Sequence, residues 1–301
     1  FLFSFKITDN KAVQVYFDQK HFINEGKLRD FFADNLEELL GMRFLAKEYE
    51  TTDGRMDTIA LDETNSPVII EYKWGQDNAI VVQGLFYYDW LKKNKKHFDL
   101  LVYRKLGADV KVNWDKPRIV LISQGFDNRT IAAVQQIENI ELIKYSVYQN
   151  DILNLENVNS PKNYKKSKET VISESQINNE DSEEGVSYDL NYHFTKNNAS
   201  ETVKDIFYKL QENIKLLPGI EELIDQKSGI TYRTTKSFAR LEFGKSYINV
   251  LVREPKYNDP KSLVKDITTH MWGYKGKMQL KSFNDVSAVF DIVKQSYEET
   301  L

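Results

Sequence analysis

Between Leu28 and Trp74 the hydrophobic period of the chain changes, and that change restricts the fold more than any other feature. Leu28, Phe31, Phe32, Leu36, Leu39 and Leu40 recur at helical spacing, and the run stops at Gly41, as helices often do. Three short apolar runs follow, at about 43–50, 55–62 and 67–74, separated by turn residues at Asp53-Gly54 and Asn65-Ser66-Pro67. They read as strands, and the last two can pair antiparallel across the Asp62–Pro67 turn.

The pattern extends in both directions. Alternating residues in Phe1–Ile7 and Ala12–Phe17, joined across Asp9-Asn10, predict a hairpin. A helix is expected from about Asp77 to Lys93, buried strands at Phe98–Tyr103 and Arg118–Ser123, a helix at Asn128–Ile137 and a last strand near Glu141–Tyr148. The order αβββαβ describes an α/β domain, a mixed sheet flanked by helices, over residues 1–160. Residues 161–187 are rich in Lys, Ser, Asn and Glu and read as a flexible linker. Residues 188–301 read as an α+β domain, with a helix around Ser200–Leu216, short strands between about Ile220 and Arg253 and a closing helix near Asn284–Tyr297.

Composition narrows the function classes. A chain of 301 residues that is 41% hydrophobic and 13% aromatic can fill a core in each of two domains. No run approaches the ~18 apolar residues of a membrane helix, so a membrane partner is not expected. With no cysteine, thiolate nucleophiles and Cys-based zinc sites are excluded, and a cytoplasmic setting is expected. The net charge of −4 argues against a broad nucleic-acid-coating surface. A local basic groove is still available from Lys92, Lys93, Lys95 and Lys96 with Arg55, Lys73, Arg104, Lys105 and Lys111. The Lys92–Lys96 group equally suits a helix C-terminus answering its dipole.

Chemistry concentrates in GRMDTIALDETNSPVIIEYKW. On the third strand Val68, Ile70, Tyr72 and Trp74 share one face, and Ile69, Glu71 and Lys73 the other. Asp57, on the preceding strand, falls opposite or diagonal to Glu71. Two carboxylates so placed repel unless a cation joins them, and a small set of hard oxygen ligands suits Mg²⁺ or Mn²⁺. The Tyr72 carbonyl is a natural extra ligand, and Glu37 or Glu38 offers a further carboxylate, with Glu37 preferred. Lys73 can orient a water or stabilise charge growing on phosphorane oxygens. Gln83 and Tyr87, four apart on one helix face, can bond a phosphate or the attacking water.

With these residues assembled, the stretch from about Leu28 to Leu91 resembles the PD-(D/E)XK nuclease superfamily, and within it the NucS-type endonucleases. The matching segments are NLEELLGM, GRMD at Gly54–Asp57, IEYK at Ile70–Lys73 and Q-x-x-x-Y at Gln83–Tyr87. The resemblance implies a restriction-endonuclease-like fold and Mg²⁺-dependent phosphodiester hydrolysis of DNA, with Asp57 and Glu71 as metal ligands and Lys73 as the lysine. The residue before the metal aspartate is Met56 where the family name has proline. From about Ser200 to Tyr297 the chain resembles a C-terminal domain of unknown function that accompanies such nuclease-like domains, through ARLEFGKSYINVLV, THMWGYKGK and VKQSYEE. That family implies no chemistry, only an unidentified partner or ligand.

Other motifs carry less. Gly244-Lys245-Ser246 reads as a hairpin turn and not a phosphate loop, and His21, His97, His193 and His270 lack metal-ligand spacing. Two functions stand side by side: a metal-dependent nuclease, and a catalytically inactive module binding nucleic acid or protein on the same fold. Double-strand cutting by such a fold generally uses two active sites, which suits a homodimer.

Overall fold

The computed structural model describes residues 4–8, 11–15, 19–20, 22–52, 54–137, 139–148, 151–158, 188–226, 229–268 and 272–301, the first three segments by backbone alone. The expected linker at 161–187 lies outside the described residues, as do Asp9, Asn10, Asp53, His21 and His270. The chain divides into two compact units, Phe1–Ser160 and Pro161–Leu301.

The first unit begins with an antiparallel hairpin of β1 (Ser4–Thr8) and β2 (Lys11–Val15), followed by the short β3 (Gln19–Lys20). Helix α1 (Glu25–Asp34) starts where the Asn24 side chain accepts from the Lys27 amide at 2.9 Å, and α2 (Leu36–Leu40) ends at Gly41, φ 65°. Then come β4 (Arg43–Thr51), β5 (Gly54–Leu61) and β6 (Pro67–Lys73), α3 (Ala79–Lys93), α4 (Lys95–Leu106), β7 (Arg118–Ser123), α5 (Asn128–Val134), β8 (Ile140–Tyr148) and β9 (Ile152–Asn157).

These strands form a mixed sheet in the order β3-β8-β7-β6-β5-β4, with β9 also on β8. Neighbours β4, β5 and β6 run antiparallel, while β6, β7 and β8 run parallel. Parallel neighbours need crossovers, which α3 with α4, and then α5, supply. Alternate residues of β6 enter different layers. Val68, Ile70 and Tyr72 pack with Leu28, Phe32, Leu36 and Leu40 of α1 and α2, whereas Ile69 packs with Tyr87, Leu91, Phe98 and Val102 of α3 and α4. Both faces are covered, so the strand is apolar from Pro67 to Ile70 and charged only at Glu71 and Lys73, each buried apolar side chain contributing roughly 2 kcal/mol. Gly84 lets α3 press onto β7: a Cβ there would meet Leu121 Cδ2 at 2.9 Å and Ile119 Cγ2 at 3.0 Å.

One element differs from expectation. The run Phe98–Tyr103 is not a buried strand but the middle of α4, where Phe98 and Val102, one turn apart, are buried and Leu100 and Tyr103 are exposed. A short apolar run fits either element by periodicity, and here the basic residues flanking it extend the helix over both ends.

The second unit contains α6 (Leu190–Lys196), α7 (Glu201–Ile214), β10 (Glu221–Gln226), β11 (Gly229–Arg233), β12 (Ser237–Phe243), β13 (Ile248–Val252), β14 (Lys265–Asp266), β15 (Gly276–Leu280) and α8 (Val286–Glu298). Its strands pair antiparallel in the order β10-β11-β12-β13-β15-β14. Phe207 and Leu210 of α7 and Val289, Ile292 and Val293 of α8 pack against Leu241, Val250 and Met278 of the sheet. Gly244-Lys245-Ser246 lies in the turn between β12 and β13, where the Gly244 amide donates to the Tyr247 carbonyl at 2.8 Å. Among the described residues, no helix is long and apolar enough to cross a membrane.

Candidate active site

The ladder between β5 and β6 runs from Leu61↔Pro67 to Thr58↔Ile70 and continues through side chains. Asp57, next along β5, donates its amide to Glu71 Oε1 at 3.1 Å, and the Tyr72 amide donates to Asp57 Oδ2 at 3.1 Å. Each carboxylate thus occupies a position where a strand carbonyl would otherwise accept, and the two side chains are fixed beside each other. Gln83, one residue before the close-packed Gly84 of α3, donates its Nε2 to Glu71 Oε2 at 2.7 Å.

Burial and mutual repulsion set the protonation of this pair. The Glu71 side chain is fully buried, and its carboxyl is pushed up to about 9 by burial first and the Asp57 charge second. Burial also raises Asp57 above the ordinary carboxylate range, against the lowering effect of the Tyr72 amide. Near neutral pH the pair therefore favours a proton on Glu71. Arg29 of α1 brings its Nη1 to 3.8 Å from Asp57 Oδ1, and the Lys73 charge acts on Glu71.

Lys73 stands at the end of β6, where its Nζ donates to Glu25 Oε1 at 3.1 Å while the Trp74 amide donates to Glu25 Oε2 at 3.3 Å. The following backbone is latched further: the Tyr145 hydroxyl donates to the Trp74 carbonyl at 3.0 Å, and the Ser123 hydroxyl donates to that of Gly75 at 2.6 Å. The lysine backbone is thereby fixed relative to the carboxylates, and its ammonium rests on an acid of the first turn of α1.

The remaining expected residues are placed elsewhere. Tyr87 does not face the carboxylates: its hydroxyl donates to the Arg55 carbonyl at 2.9 Å and accepts from the Arg55 amide at 3.0 Å. It lies so close to Gly54 that a Cβ there would meet Tyr87 Oη at 2.8 Å, which accounts for the glycine of the GRMD segment. The Tyr72 side chain is fully buried against Phe32, ring centroids 5.6 Å apart, leaving only its backbone toward Asp57. Glu37 is not brought to this group. It is exposed on α2, and its charge acts on Arg43, which pairs with Leu61. That end of β5 is ~13 Å from Asp57 at the usual strand rise. Glu38 is likewise exposed on α2.

Two acids absent from the sequence expectations do belong here. Glu25 partners Lys73, and Glu48 of β4 bridges Arg29 and Arg55. In sequence Glu25 looks like an ordinary first-turn acid after an Asn cap, and Glu48 like one charge on an exposed edge strand. The Lys92–Lys96 group lies at the junction of α3 and α4, at the opposite end of α3 from Gln83. Lys93 is paired with Asp89 at 2.6 Å, and Lys95 lies over the Trp114 ring.

The donor set suits a hard divalent cation. Asp57, Glu71 and the Tyr72 carbonyl offer only oxygen, and burial raises both carboxyls, an effect that a bound cation would oppose. Among the described residues, no group of three or more His, Cys, Asp or Glu side chains converges. A cation here would take two carboxylates from the protein and complete its shell with backbone, water and substrate, as Mg²⁺ commonly does.

No known protein-family profile matches the sequence. An uncharacterized protein of Haemophilus influenzae is 25% identical over 310 residues, spanning 97% of this chain and 99% of that protein. Among solved structures, a repair endonuclease from Pyrococcus abyssi aligns with 42% of this chain at 15% identity and a TM-score of 0.27. The EndoMS–double-stranded DNA complex aligns with 43% at 13% identity and a TM-score of 0.26. The alignments span about half of each of those chains, 49% and 48% respectively.

Proposed function

We propose that the first unit is a divalent-metal-dependent endonuclease of the PD-(D/E)XK type, restriction-endonuclease-like in its core, that hydrolyses DNA phosphodiester bonds. The observation that carries this reading is the buried carboxyl pair of Asp57 and Glu71, locked across two strands by reciprocal amide bonds, with Lys73 two residues beyond. A bound Mg²⁺ or Mn²⁺ would supply Lewis-acid activation of the phosphate and a nucleophilic water at neutral pH.

The chain's own residues divide the remaining work. Asp57 and Glu71, with the Tyr72 carbonyl, are the groups that would hold the cation, and Glu71 would have to be ionised to do so. Gln83 keeps the Glu71 carboxylate oriented, the usual part of a hydrogen-bonding partner behind a metal ligand. Lys73 exchanges Glu25 for the substrate and stabilises charge on the non-bridging phosphate oxygens. Tyr87 acts at a distance, fixing the Arg55 backbone and hence the start of β5.

The test is metal binding and cleavage in parallel, comparing wild type with Asp57→Ala by Mn²⁺ paramagnetic resonance and by hydrolysis of labelled DNA. The reading expects both to be lost while thermal unfolding remains cooperative. Metal-independent cleavage that survives the substitution refutes it.

A further inference from the structure

One carboxylate oxygen holds two guanidinium groups beside Asp57. Glu48 Oε1 lies 3.1 Å from Arg29 Nη1 and 3.2 Å from Arg55 Nη1. The β4–β5 pairing places Lys47 opposite Thr58 and Tyr49 opposite Met56, so Glu48 stands across from Asp57. Its backbone there has φ 51°, the left-handed region that a residue with a Cβ seldom enters inside a strand. Strain of this kind persists where surrounding contacts enforce it, and it concentrates at functional positions.

The two cations share Glu48 unequally, because Arg29 also has Asp57 and Asp30 as partners, each at 3.8 Å. Arg29 is committed, with its side chain 15% exposed and the same Nη1 bridging Glu48 and Asp57. Arg55 is different. Its side chain is 58% exposed, and Glu48 is its only side-chain partner among the described residues. Its backbone amide and carbonyl are both held by the Tyr87 hydroxyl. The result is an exposed guanidinium on a fixed stem, anchored at one nitrogen with its other N–H groups available. A planar fork of donors matches two phosphate oxygens at once. Arg55 also precedes Asp57 by two residues on one strand, so the two side chains emerge on the same side about 7 Å apart. That is close to the separation of neighbouring phosphates along a single nucleic-acid strand.

We propose that Arg55, anchored by Glu48, binds the phosphate adjacent to the one hydrolysed at Asp57 and Glu71. This rests on the nuclease reading of the site and adds a subsite to it. Arg55 sets where the strand lies, and Arg29 ties its anchor to the carboxylate that holds the cation.

The experiment is binding of a short fluorescein-labelled DNA duplex across a NaCl series with Ca²⁺ present to suppress cleavage, for wild type, Arg55→Ala, Arg55→Gln and Arg55→Lys. Cleavage by wild type and Asp57→Ala is followed separately in Mg²⁺. Loss of one phosphate contact makes the slope of log binding constant against log salt shallower by about 0.9. Arg55→Ala and Arg55→Gln are expected to show that change and weaker binding, while Arg55→Lys keeps the wild-type slope. Wild-type slopes in both neutral variants, with Asp57-dependent cleavage intact, overturn the subsite and leave the nuclease standing. The slope change without any wild-type cleavage supports the Arg55 contact and overturns the nuclease. A wild type that binds no DNA overturns both.

Discussion

The amide of Asp57 donates to the carboxylate of Glu71 at 3.1 Å, one residue beyond the last backbone pair of β5 and β6. An acid on one strand thus completes the hydrogen bonding of the other, and the Tyr72 amide returns the same bond to Asp57. Structure and chemistry are coupled at this point, because the groups that close the strand pair are the groups that would hold a cation.

Divalent-metal binding is expected to release close to one proton at pH 7. Glu71, pushed up to about 9, is protonated before the cation enters and ionised afterwards. Apparent affinity should rise about tenfold per pH unit between pH 6 and 8 and level off above about 9. Calorimetric Mn²⁺ titrations in two buffers of different ionisation enthalpy measure the released proton directly. No buffer dependence would mean that Glu71 is already ionised.

Without metal, stability should fall as pH rises. The folded Glu71 retains a proton up to about 9, whereas in the unfolded chain it loses the proton near its ordinary value of 4.5. Between those limits the folded state binds more protons, so each step upward in pH favours unfolding. Glu71→Gln removes the titration and keeps the shape. In chelator at pH 8 it should unfold at higher denaturant than wild type, by a free energy on the order of a few kcal/mol, and added Mg²⁺ should stabilise only wild type. Urea unfolding at pH 5 and pH 8 separates these cases.

Gln83→Ala should lower metal affinity by roughly 10–100-fold while leaving the fold intact, because it removes the donor to Glu71 Oε2 and no core volume of consequence. Wild-type metal affinity in this variant would show that the amide does not orient Glu71.

Tyr87 and Gly54 should be energetically coupled. A Cβ at position 54 meets the Tyr87 hydroxyl at 2.8 Å, so Gly54→Ala alone is expected to cost about 1–3 kcal/mol through overpacking. Tyr87→Phe alone should cost about 1–2 kcal/mol through the lost bonds to Arg55. Combined, they should cost less than the sum, since the second removes the atom that the first strikes. A double-mutant cycle by urea unfolding measures the coupling, and strict additivity would contradict the packing described.

Much of this arrangement is legible in the sequence for identifiable reasons. Glu71 and Lys73 stand out because charges interrupt an otherwise apolar strand, and the short Asp62–Pro67 turn fixes a register that brings Asp57 beside Glu71. Helical spacing puts Gln83 on the sheet side of α3, but it cannot say that Tyr87, one turn on, will bond a strand backbone in place of a substrate. Glu37 misleads because proximity in sequence to β4 is not proximity to Asp57: α2 lies toward the opposite end of β5. Glu48 is hidden because its position depends on a left-handed backbone within a strand, which no side-chain pattern announces. The helix α4 is hidden by an apolar run whose strand-like core outweighs its flanks.

The most direct test of the central claim is cleavage of labelled single-stranded, duplex, mismatched and branched DNA in Mg²⁺ or Mn²⁺, comparing wild type with Lys73→Ala. Metal-dependent cleavage by wild type that disappears in the variant, with DNA binding retained, is the predicted result and also reveals the preferred substrate shape. Equal inactivity of both proteins on every substrate, with metal and DNA binding measured independently, would contradict it and leave a binding module built on a nuclease-like site.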